Sequence, residues 1–293
     1  MAGFSDIVIV YNPNSTGDSK AMAFELRKTL RKQLADIPIE CVPTEFAGHA
    51  RELACQVAKD KKHPLIVSSS GDGGYNEVVN GIMDAGKTSA VSAVLPAGNA
   101  NDHSRTMQKH PLADEIIKGK ITHLDLIKVT VNSGKNIKFY HAHSYAGLGL
   151  TPVIGAELNR HDLNRFNEIL LSLKTFSKFK PFKIRHRGKL LKLDSLLFGN
   201  INQMAKVLTI SPTNRPQDGL FEVVTFPSST KRNLIKKLVK AAVSNLSTTK
   251  RFSSYKFEVP KKIPMQLDGE IIEIPAGSSV QIESAHKVLA TVI

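Results

Sequence analysis

The sequence predicts an α/β protein of two domains, the first built on a parallel sheet and the second mostly on antiparallel β structure. Two observations support this fold class. Through residue 122, short β-branched apolar runs alternate with segments of helical periodicity, an order typical of a parallel sheet covered by helices. From residue 124 onward, short alternating or β-branched runs dominate. We therefore place the domains at residues 1–122 and 123–293.

The N-terminal domain begins with a β-branched run that ends at the turn signal Asn12-Pro13-Asn14. The next segment has apolar residues at helical spacing among good helix formers, and Pro38 lies beyond its end. The alternation then repeats. Strands are predicted at 6–11, 39–42, 64–68 and 90–95, and helices at 20–34, 48–59, 76–85 and from about 101.

The C-terminal domain is predicted to hold mainly short strands with two helical interludes. An exposed strand edge there would allow a homodimer. Strands are predicted at 124–131, 137–146, 182–187, 191–198, 205–210, 220–226 and 255–259, and helices at 164–176 and 231–243.

Composition limits the cellular setting. No apolar run approaches the roughly 18 residues of a spanning helix, and the N-terminus lacks the pattern of a secretory signal. We therefore expect a cytoplasmic protein. The two cysteines, Cys41 and Cys55, have no metal-ligand companions at a recognised spacing and are expected to be free thiols.

The formal charge of +14 favours an anionic partner. The absence of Trp, the 6% aromatic content and the lack of a zinc-finger or RNA-recognition pattern disfavour nucleic acid. Residues 174–192 and 228–251 are strongly basic, the first with interleaved phenylalanines. Such segments bind anionic membranes peripherally, and the alternative is a solvated basic face over core phenylalanines.

A glycine-rich segment, SSSGDGGYNE at residues 68–77, follows the predicted strand at 64–68. Ligands bind at the carboxyl edge of an open α/β sheet, where glycines let backbone N–H groups approach phosphate oxygens. Asp72 would repel phosphate directly, so it is expected to accept a hydrogen bond from ribose or water or to act through Mg²⁺. The alternative is an ordinary glycine-rich turn.

A second polar segment, LPAGNANDHSR at residues 95–105, follows the next strand. Gly98 permits close backbone approach, and Asn99 and Asn101 offer amide donors and acceptors. Asp102 either contacts ligand or caps the next helix. Asn12 and Ser15 follow the first strand, so all three loops are expected at one edge of the sheet.

These segments resemble the diacylglycerol kinase catalytic-domain family, which includes bacterial soluble lipid kinases and sphingosine and ceramide kinases. The resemblance spans nearly the whole chain and depends on five motifs in order. They are VIVYNPNSTG, SGDGGYNEVVNGI and LPAGNANDHSR in the first half, and DGLFEVV from Asp218 and QLDGE from Gln266 in the second.

The resemblance implies an NAD-kinase-like fold, ATP and Mg²⁺ as cofactors, and a membrane lipid as acceptor. Asp268 would be the general base, because a lipid alcohol needs a carboxylate to take its proton. Glu270 would orient Asp268 or help with metal, and Asp72 is a further catalytic candidate. The residues implied around the nucleotide are Asn12, Ser69, Gly71, Asp72, Gly73, Glu77, Gly98, Asn99 and Asp102.

The resemblance also implies a structural Mg²⁺ held by Asp218, with Asp125 as a further candidate ligand. Gln217 stands where the family has a carboxylate, which disfavours that metal. In the glycine-rich loop, Ser70 replaces a glycine and Gly74 replaces a threonine, while Asn99 replaces a threonine in the second loop.

Two alternative functions stay open at the level of sequence. NAD kinase shares the expected fold and a Gly-Asp-Gly loop, but the chain has no Thr-Gly-Ser-Thr-Ala segment of the kind found there. A lipid- or nucleotide-binding regulator with impaired catalysis would account for Ser70, Gly74 and Gln217. The acceptor lipid cannot be read from the sequence.

Overall fold

The structure is a computed structural model that describes residues 3–15, 17–86, 89–134, 136–149, 181–204, 208–209, 215–230 and 249–293. The chain divides into two compact units. Unit 1 comprises Met1–Leu124 with Lys287–Ile293, and unit 2 comprises Asp125–His286. Among the described residues, no helix has both the length and the apolar character needed to cross a membrane.

Unit 1 alternates strands and helices as predicted, and its strands pair in parallel in the order β2, β1, β3, β4. This confirms the predicted parallel α/β architecture. The elements are β1 (Asp6–Tyr11), α1 (Ser19–Arg31), β2 (Ile39–Pro43), α2 (His49–Asp60), β3 (Pro64–Ser70), α3 (Asp72–Asp84), β4 (Val91–Pro96), α4 (Asp102–Met107) and α5 (Leu112–Lys118).

Strand β1 shows why both faces of this sheet are covered. Ile7 and Ile9 pack into one apolar core together with Leu30 of α1, whereas Val8 and Val10 pack into a second core with residues of α2 and α3. Because successive side chains of a strand point to opposite faces, a continuous apolar run requires a helical layer on each side. The run DIVIVY therefore specifies a central strand.

Unit 2 is built from antiparallel strand pairs, as predicted. Strands β16, β15, β7, β9, β8, β14 and β17 follow one another across its sheet, and β12 adds to β9. The strands are β5 (Thr122–Asn132), β6 (Ile137–Ala142), β7 (Tyr145–Gly149), β8 (Phe182–His186), β9 (Lys189–Gly199), β10 (Gln203–Met204), β11 (Leu208–Thr209), β12 (Phe221–Pro227), β13 (Lys250–Phe252), β14 (Ser254–Val259), β15 (Ile263–Leu267), β16 (Glu270–Ile274) and β17 (Ser278–Val292).

The last residues of the chain differ from the predicted division at 122/123. Residues 287–293 belong to unit 1, because Thr291 and Val292 of β17 pair in parallel with Ser92 and Ala93 of β4. Parallel pairing between strands so far apart in sequence leaves no local signal. The predicted helices at 164–176 and 231–243 lie outside the described residues, as do residues 174–180 and 231–248 of the basic segments.

Candidate active site

The two polar loops of unit 1 meet through their glycines. A Cβ built on Gly98 would lie 2.4 Å from Gly71 Cα, and the backbone N–H of Ala97 donates to Ser70 O at 3.0 Å. The parallel pairing of β3 with β4 sets this contact, because it ends both strands at the same edge. At this edge of the sheet, no side chain covers the backbone of Gly71 and Gly98. A phosphate group could therefore approach the backbone N–H groups closely.

Asn101 holds the second loop in shape. Its side-chain Oδ1 accepts the N–H of Gly98 at 3.0 Å, and its Nδ2 donates to Gly98 O at 2.7 Å. Asn101 itself has a left-handed backbone with φ of 48°, a conformation that Asn tolerates better than most residues. The sequence pointed to Asn101 as a second amide of this loop, and the structure shows that its side chain bonds to the Gly98 backbone.

The Asp72 carboxylate connects the two loops. It lies in the first turn of α3 and accepts the backbone N–H groups of Asp102 at 2.9 Å and of His103 at 3.1 Å. These are N–H groups at the start of α4, which have no partner within that helix. Asp72 is half-buried and caps a neighbouring helix. Its observed contacts are therefore those of a residue that positions the loop.

Glu77 does for α2 what Asp72 does for α4. Its Oε1 accepts the N–H of Gly48 at 2.9 Å and its Oε2 accepts the N–H of Ala50 at 3.2 Å. Gly48 precedes the first residue of α2 and has a left-handed φ of 91°. Because it is a glycine, it has no side chain that could cap the helix. The sequence placed Glu77 near the nucleotide, and the structure shows its carboxylate on the N-terminus of α2.

Asp102 is fully buried and forms an ion pair with Arg105 one turn later, with Arg105 Nη2 2.5 Å from Oδ1. Arg105 also donates through Nη1 to Ala100 O at 2.7 Å. The pair therefore ties α4 back to the second loop. Asn99 of that loop is exposed.

The first loop after β1 is tied to β3 by serines. Ser19 Oγ donates to Ser69 O at 2.5 Å, and Ser69 Oγ donates to Ser19 O at 2.8 Å. Asn12 is exposed, and its Oδ1 accepts the N–H of Asn14 at 2.9 Å. Ser15 Oγ donates to Gly17 O at 2.6 Å. Ser69 thus fixes the start of α1 against β3, while Asn12 stays open to solvent.

Ser70 and Gly74, two departures from the family pattern, compensate for each other. A Cβ built on Gly74 would lie 2.6 Å from Ser70 Oγ and 2.7 Å from Ser70 Cβ, closer than real atoms pack. The Ser70 hydroxyl occupies this space and lies 2.7 Å from Ser68 Oγ. The Ser70 side chain therefore fills the space that a side chain at position 74 would need.

In unit 2, the Asp268 carboxylate is fully buried in a nest of backbone donors. Oδ2 accepts the N–H of His143 at 2.6 Å, and Oδ1 accepts those of Ser144 at 3.0 Å and Tyr145 at 2.8 Å. Three such donors favour the ionised carboxylate. Asp268 and Gly269 form the turn between β15 and β16, both with left-handed φ. The Asp-Gly pair is thus both a hairpin turn and a charged site.

The imidazole of His143 is a further neighbour of Asp268. Its Nε2 lies 3.3 Å from Asp268 Oδ2, and its Nδ1 lies 2.8 Å from Ser144 Oγ. The sequence alone gave no reason to pair His143 with Asp268, because 125 residues separate them. Glu270, expected to orient Asp268, is exposed at the start of β16, whereas the contacts above orient the carboxylate from the side of residues 143–145.

Asp125 and Asp218, the expected ligands of a structural Mg²⁺, have other partners. Asp125 is fully buried, with Oδ2 accepting Gly219 N–H at 2.7 Å and Oδ1 lying 2.8 Å from His286 Nδ1. Asp218 contacts the Arg251 guanidinium through Oδ2 and accepts Leu220 N–H at 3.1 Å through Oδ1.

This arrangement does not fit a structural Mg²⁺ site. All four carboxylate oxygens already have partners, the Arg251 guanidinium supplies positive charge, and Gln217 replaces the missing acid. Within the described part of the chain, no group of three or more His, Cys, Asp or Glu side chains could hold a metal ion.

Comparisons with solved structures identify the fold. A diacylglycerol kinase from Bacillus anthracis str. Sterne aligns with a TM-score of 0.68 at 18% identity, over 100% of this chain and 98% of that one. Yeast NADH kinase, solved with NADH, aligns with a TM-score of 0.54 at 10% identity, over 98% of this chain and 82% of that one. The fold is therefore the two-unit fold that these kinases share.

Sequence comparisons find similarity to lipid kinases. The diacylglycerol kinase catalytic domain matches residues 6–129. A diacylglycerol kinase of Staphylococcus carnosus (strain TM300) is 27% identical over 241 residues, 74% of this chain and 71% of that protein. Sphingoid long-chain bases kinase 1 of Arabidopsis thaliana is 30% identical over 181 residues, 59% of this chain and 23% of that protein. Residues 6–129 therefore match the diacylglycerol kinase catalytic domain, and the two relatives named above are lipid kinases, which supports the resemblance drawn from the motifs.

Proposed function

We propose that this protein is a lipid kinase that transfers the γ-phosphoryl group of ATP to a hydroxyl of a diacylglycerol-like lipid. The observation that carries the proposal is the contact of Gly71 with Gly98, which leaves backbone free of side chains at the carboxyl edge of the parallel sheet. The match of residues 6–129 to the diacylglycerol kinase catalytic domain supports the same activity.

The nucleotide would lie along the loops of unit 1. Backbone N–H groups of Gly71 and Gly73 would face the phosphates, and Gly98 would let them approach the backbone closely. The exposed side chains of Asn12 and Asn99 would supply further polar contacts, with Ser15 beside them. The carboxylates of Asp72 and Asp102 would act mainly by holding these loops in position, and that of Glu77 by holding the start of α2.

Mg²⁺ bound with ATP would neutralise charge on the phosphate oxygens. Mg²⁺ keeps several waters and commonly uses one or two carboxylates together with substrate phosphates. The Asp72 oxygens already accept two backbone N–H groups. We therefore propose that the phosphates and water provide most of the ligands, with Asp72 as the nearest carboxylate of the loop.

Asp268 is proposed as the general base. The lipid oxygen bonds to the γ-phosphorus, the bond from that phosphorus to the β,γ-bridging oxygen breaks, and ADP leaves with its electron pair. The hydroxyl proton passes to Asp268 Oδ2. Backbone N–H groups of residues 143–145 hold the carboxylate in place. The imidazole of His143, the longest contact at 3.3 Å, is the group that the hydroxyl would replace.

We further propose that the protein works in the cytoplasm on the surface of an anionic membrane, and that it can form homodimers. The formal charge of +14 supports attraction to anionic lipid. A strand edge in unit 2 would offer the dimer contact.

The test is transfer of labelled γ-phosphate by the purified protein with Mg²⁺, offered a panel of lipid alcohols in anionic mixed micelles and, in parallel, NAD. Labelled product from one lipid, lost in Asp268→Asn while ATP binding persists, is the expected result. Labelled NADP would replace the lipid assignment with NAD kinase. Binding of ATP without transfer to any acceptor would support the regulatory alternative.

A further inference from the structure

Three acidic side chains of unit 2 lie together near the start of β12. Asp218 comes shortly before Glu222 of β12, and the N–H of the intervening Gly219 donates to Asp125 of β5 at 2.7 Å. Asp125 and Glu222 are buried. A buried carboxylate is destabilising unless cations or hydrogen-bond donors compensate its charge. This group of acids therefore needs positive charge close by.

The Arg251 guanidinium joins two of these acids. Its Nη2 pairs with Asp218 Oδ2, and its Nε lies 3.4 Å from Glu222 Oε1. Glu222 and Arg251 stand directly opposite each other in the antiparallel pair β12 and β13, which places both side chains on one face of the sheet. Phe221 and Val223 pack into the apolar core on the other face. The strand register therefore sets the guanidinium against the acids.

Glu222 depends on this guanidinium for the compensation of its charge. Both of its carboxylate oxygens are buried, and neither accepts a hydrogen bond from any residue that the structure describes. The ion pair with Arg251 supplies the positive charge. Removal of one partner from a buried ion pair is strongly destabilising, because the other charge stays buried without compensation.

Asp125 fastens the same segment from another side. Its Oδ2 accepts the Gly219 N–H, and its Oδ1 lies 2.8 Å from His286 Nδ1 of β17. The imidazole lies beside Gly219, where an added Cβ would come within 3.4 Å of Nδ1. Groups of the protein thus hold residues 218–222 to β5, β13 and β17, strands that are distant in sequence.

We propose that the Arg251 guanidinium, by bridging Asp218 and Glu222, takes the place of a divalent cation and holds this part of unit 2 together without bound metal. A guanidinium is a permanent cation with five N–H donors in a planar fork, so it can serve two carboxylates at once. Gln217 agrees with this assignment, because a singly charged group needs fewer acids around it than Mg²⁺ does.

The first test compares thermal unfolding in EDTA and in millimolar Mg²⁺, without nucleotide, for the unchanged protein and for Asp218→Asn. We expect the Tm of the unchanged protein to differ by no more than about 1 °C between the two media, because no metal binds at this site. A Mg²⁺-dependent rise in Tm that Asp218→Asn abolishes would show a metal there and would overturn the proposal.

Arg251→Gln removes the cation. We expect its Tm in EDTA to fall by about 4–10 °C, because Glu222 stays buried without a counter-charge while the 37% exposure of the arginine moderates the loss. Millimolar Mg²⁺ should recover about half of the fall, since a divalent cation can then approach the acids. A variant that is fully stable in EDTA, or a destabilised one that Mg²⁺ does not protect, would contradict the proposal.

Arg185→Gln is the matched control. Arg185 and Glu258 also form an arginine–glutamate pair across antiparallel strands of unit 2, with Nη1 3.3 Å from Oε2, but both side chains are exposed. We expect its Tm to fall by only about 0–2 °C, without a response to Mg²⁺. Equal falls in Arg185→Gln and Arg251→Gln would make the Arg251 contacts an ordinary surface ion pair and overturn the proposal.

Arg251→Lys keeps the test available if Arg251→Gln does not fold. Lysine retains the charge but lacks the planar fork that reaches two carboxylates, so we expect about half of the fall in Tm expected for Arg251→Gln. An Arg251→Lys protein as stable in EDTA as the unchanged protein would overturn the bridging role of the guanidinium. None of these measurements involves ATP or a lipid, so failure of the proposed kinase activity would leave them unchanged.

Discussion

Asp72 of unit 1 and Asp268 of unit 2 are both held by backbone N–H groups, yet their surroundings differ. Asp72 is half-buried and accepts two N–H groups from the start of a neighbouring helix. Asp268 is fully buried and accepts three N–H groups from consecutive residues while its own backbone is left-handed. Hydrogen bonds from backbone N–H groups to a carboxylate thus occur at a helix start in unit 1 and in a buried turn in unit 2.

The difference separates two uses of a carboxylate. Asp72 accepts N–H groups that have no partner within α4. This capping stabilises the conformation of the second loop. Asp268 sits in a turn that an Asn would also suit, and three donors hold its negative charge away from solvent. We infer that Asp72 acts through loop geometry and Asp268 through its charge.

The largest expected effect comes from exchanging each carboxylate for its amide. Asp268→Asn should lower kcat by about 10²–10⁴-fold with KM for ATP little changed, because a general base acts on the chemical step. Asp72→Asn should mainly raise KM for ATP, because the second loop would lose one of its anchors. Steady-state kinetics with varied ATP separates the two.

Thermal unfolding is the control for this comparison. The amide group that Asp268→Asn introduces would meet a backbone N–H, and such a mismatch costs about 1–3 kcal/mol of stability. An Asp268→Asn protein that stays folded, binds ATP and keeps its kcat would contradict the distinction between the two carboxylates.

The packing of the glycine-rich loop gives the next largest effect. Gly74→Thr should destabilise the protein by about 1–3 kcal/mol, because its Cβ would overlap Ser70 Oγ at 2.6 Å. Adding Ser70→Gly should recover most of this loss, since it empties the contested space. Chemical denaturation of the two single variants and the double variant measures the coupling. Additive effects would mean that the two positions are independent.

Glu77 provides a matched control for Asp72 within the same helix. Asp72→Asn and Glu77→Gln each weaken a cap on a neighbouring helix, and each should cost about 0.5–2 kcal/mol of unfolding free energy. Only Asp72→Asn should raise KM for ATP, because α4 carries the second loop and α2 does not. An equal rise in both variants would point to general loosening of unit 1.

Much of unit 1 could be predicted from the sequence because its signals are local. The β-branched strands and the glycines at 71 and 98 can each be recognised from a few neighbouring residues. The rule that ligands bind at the carboxyl edge of the sheet then predicts that the loops lie close together. Considered separately, Ser70 and Gly74 in the glycine-rich loop each suggested impaired catalysis. Only the packing distance between them shows that they compensate.

Contacts between distant residues could not be predicted. Glu77 caps a helix whose first N–H is 29 residues away, and His143 N meets Asp268 across 125 residues. The sequence showed that Gln217 stands in place of an acid. It did not show that Arg251 would pair with Asp218 or that His286 would contact Asp125. Such partners follow from topology and not from local pattern.

The smallest expected effect comes from Asp6, a third carboxylate, which binds a side-chain cation instead of backbone. Burial would raise the pKa of Asp6, but hydrogen bonds from Lys61 and Ser5 more than offset it, so the pKa is lowered from 3.8. Lys61 Nζ lies 2.9 Å from Asp6 Oδ1, and the lysine is 42% exposed. A folded-state pKa below the unfolded one stabilises the protein above pH 3.8, and this contribution is lost as the pH falls through the lowered value.

Asp6→Asn should therefore cost only about 0–1 kcal/mol at neutral pH, and the difference from the unchanged protein should disappear in acid. Urea unfolding at neutral pH and at a series of lower pH values, down to below the lowered pKa of Asp6, measures it, with Asp36→Asn as an exposed control. A cost as large as that of Asp72→Asn would mean that an exposed ion pair is worth as much as a helix cap, and the special role of backbone N–H groups would then fail.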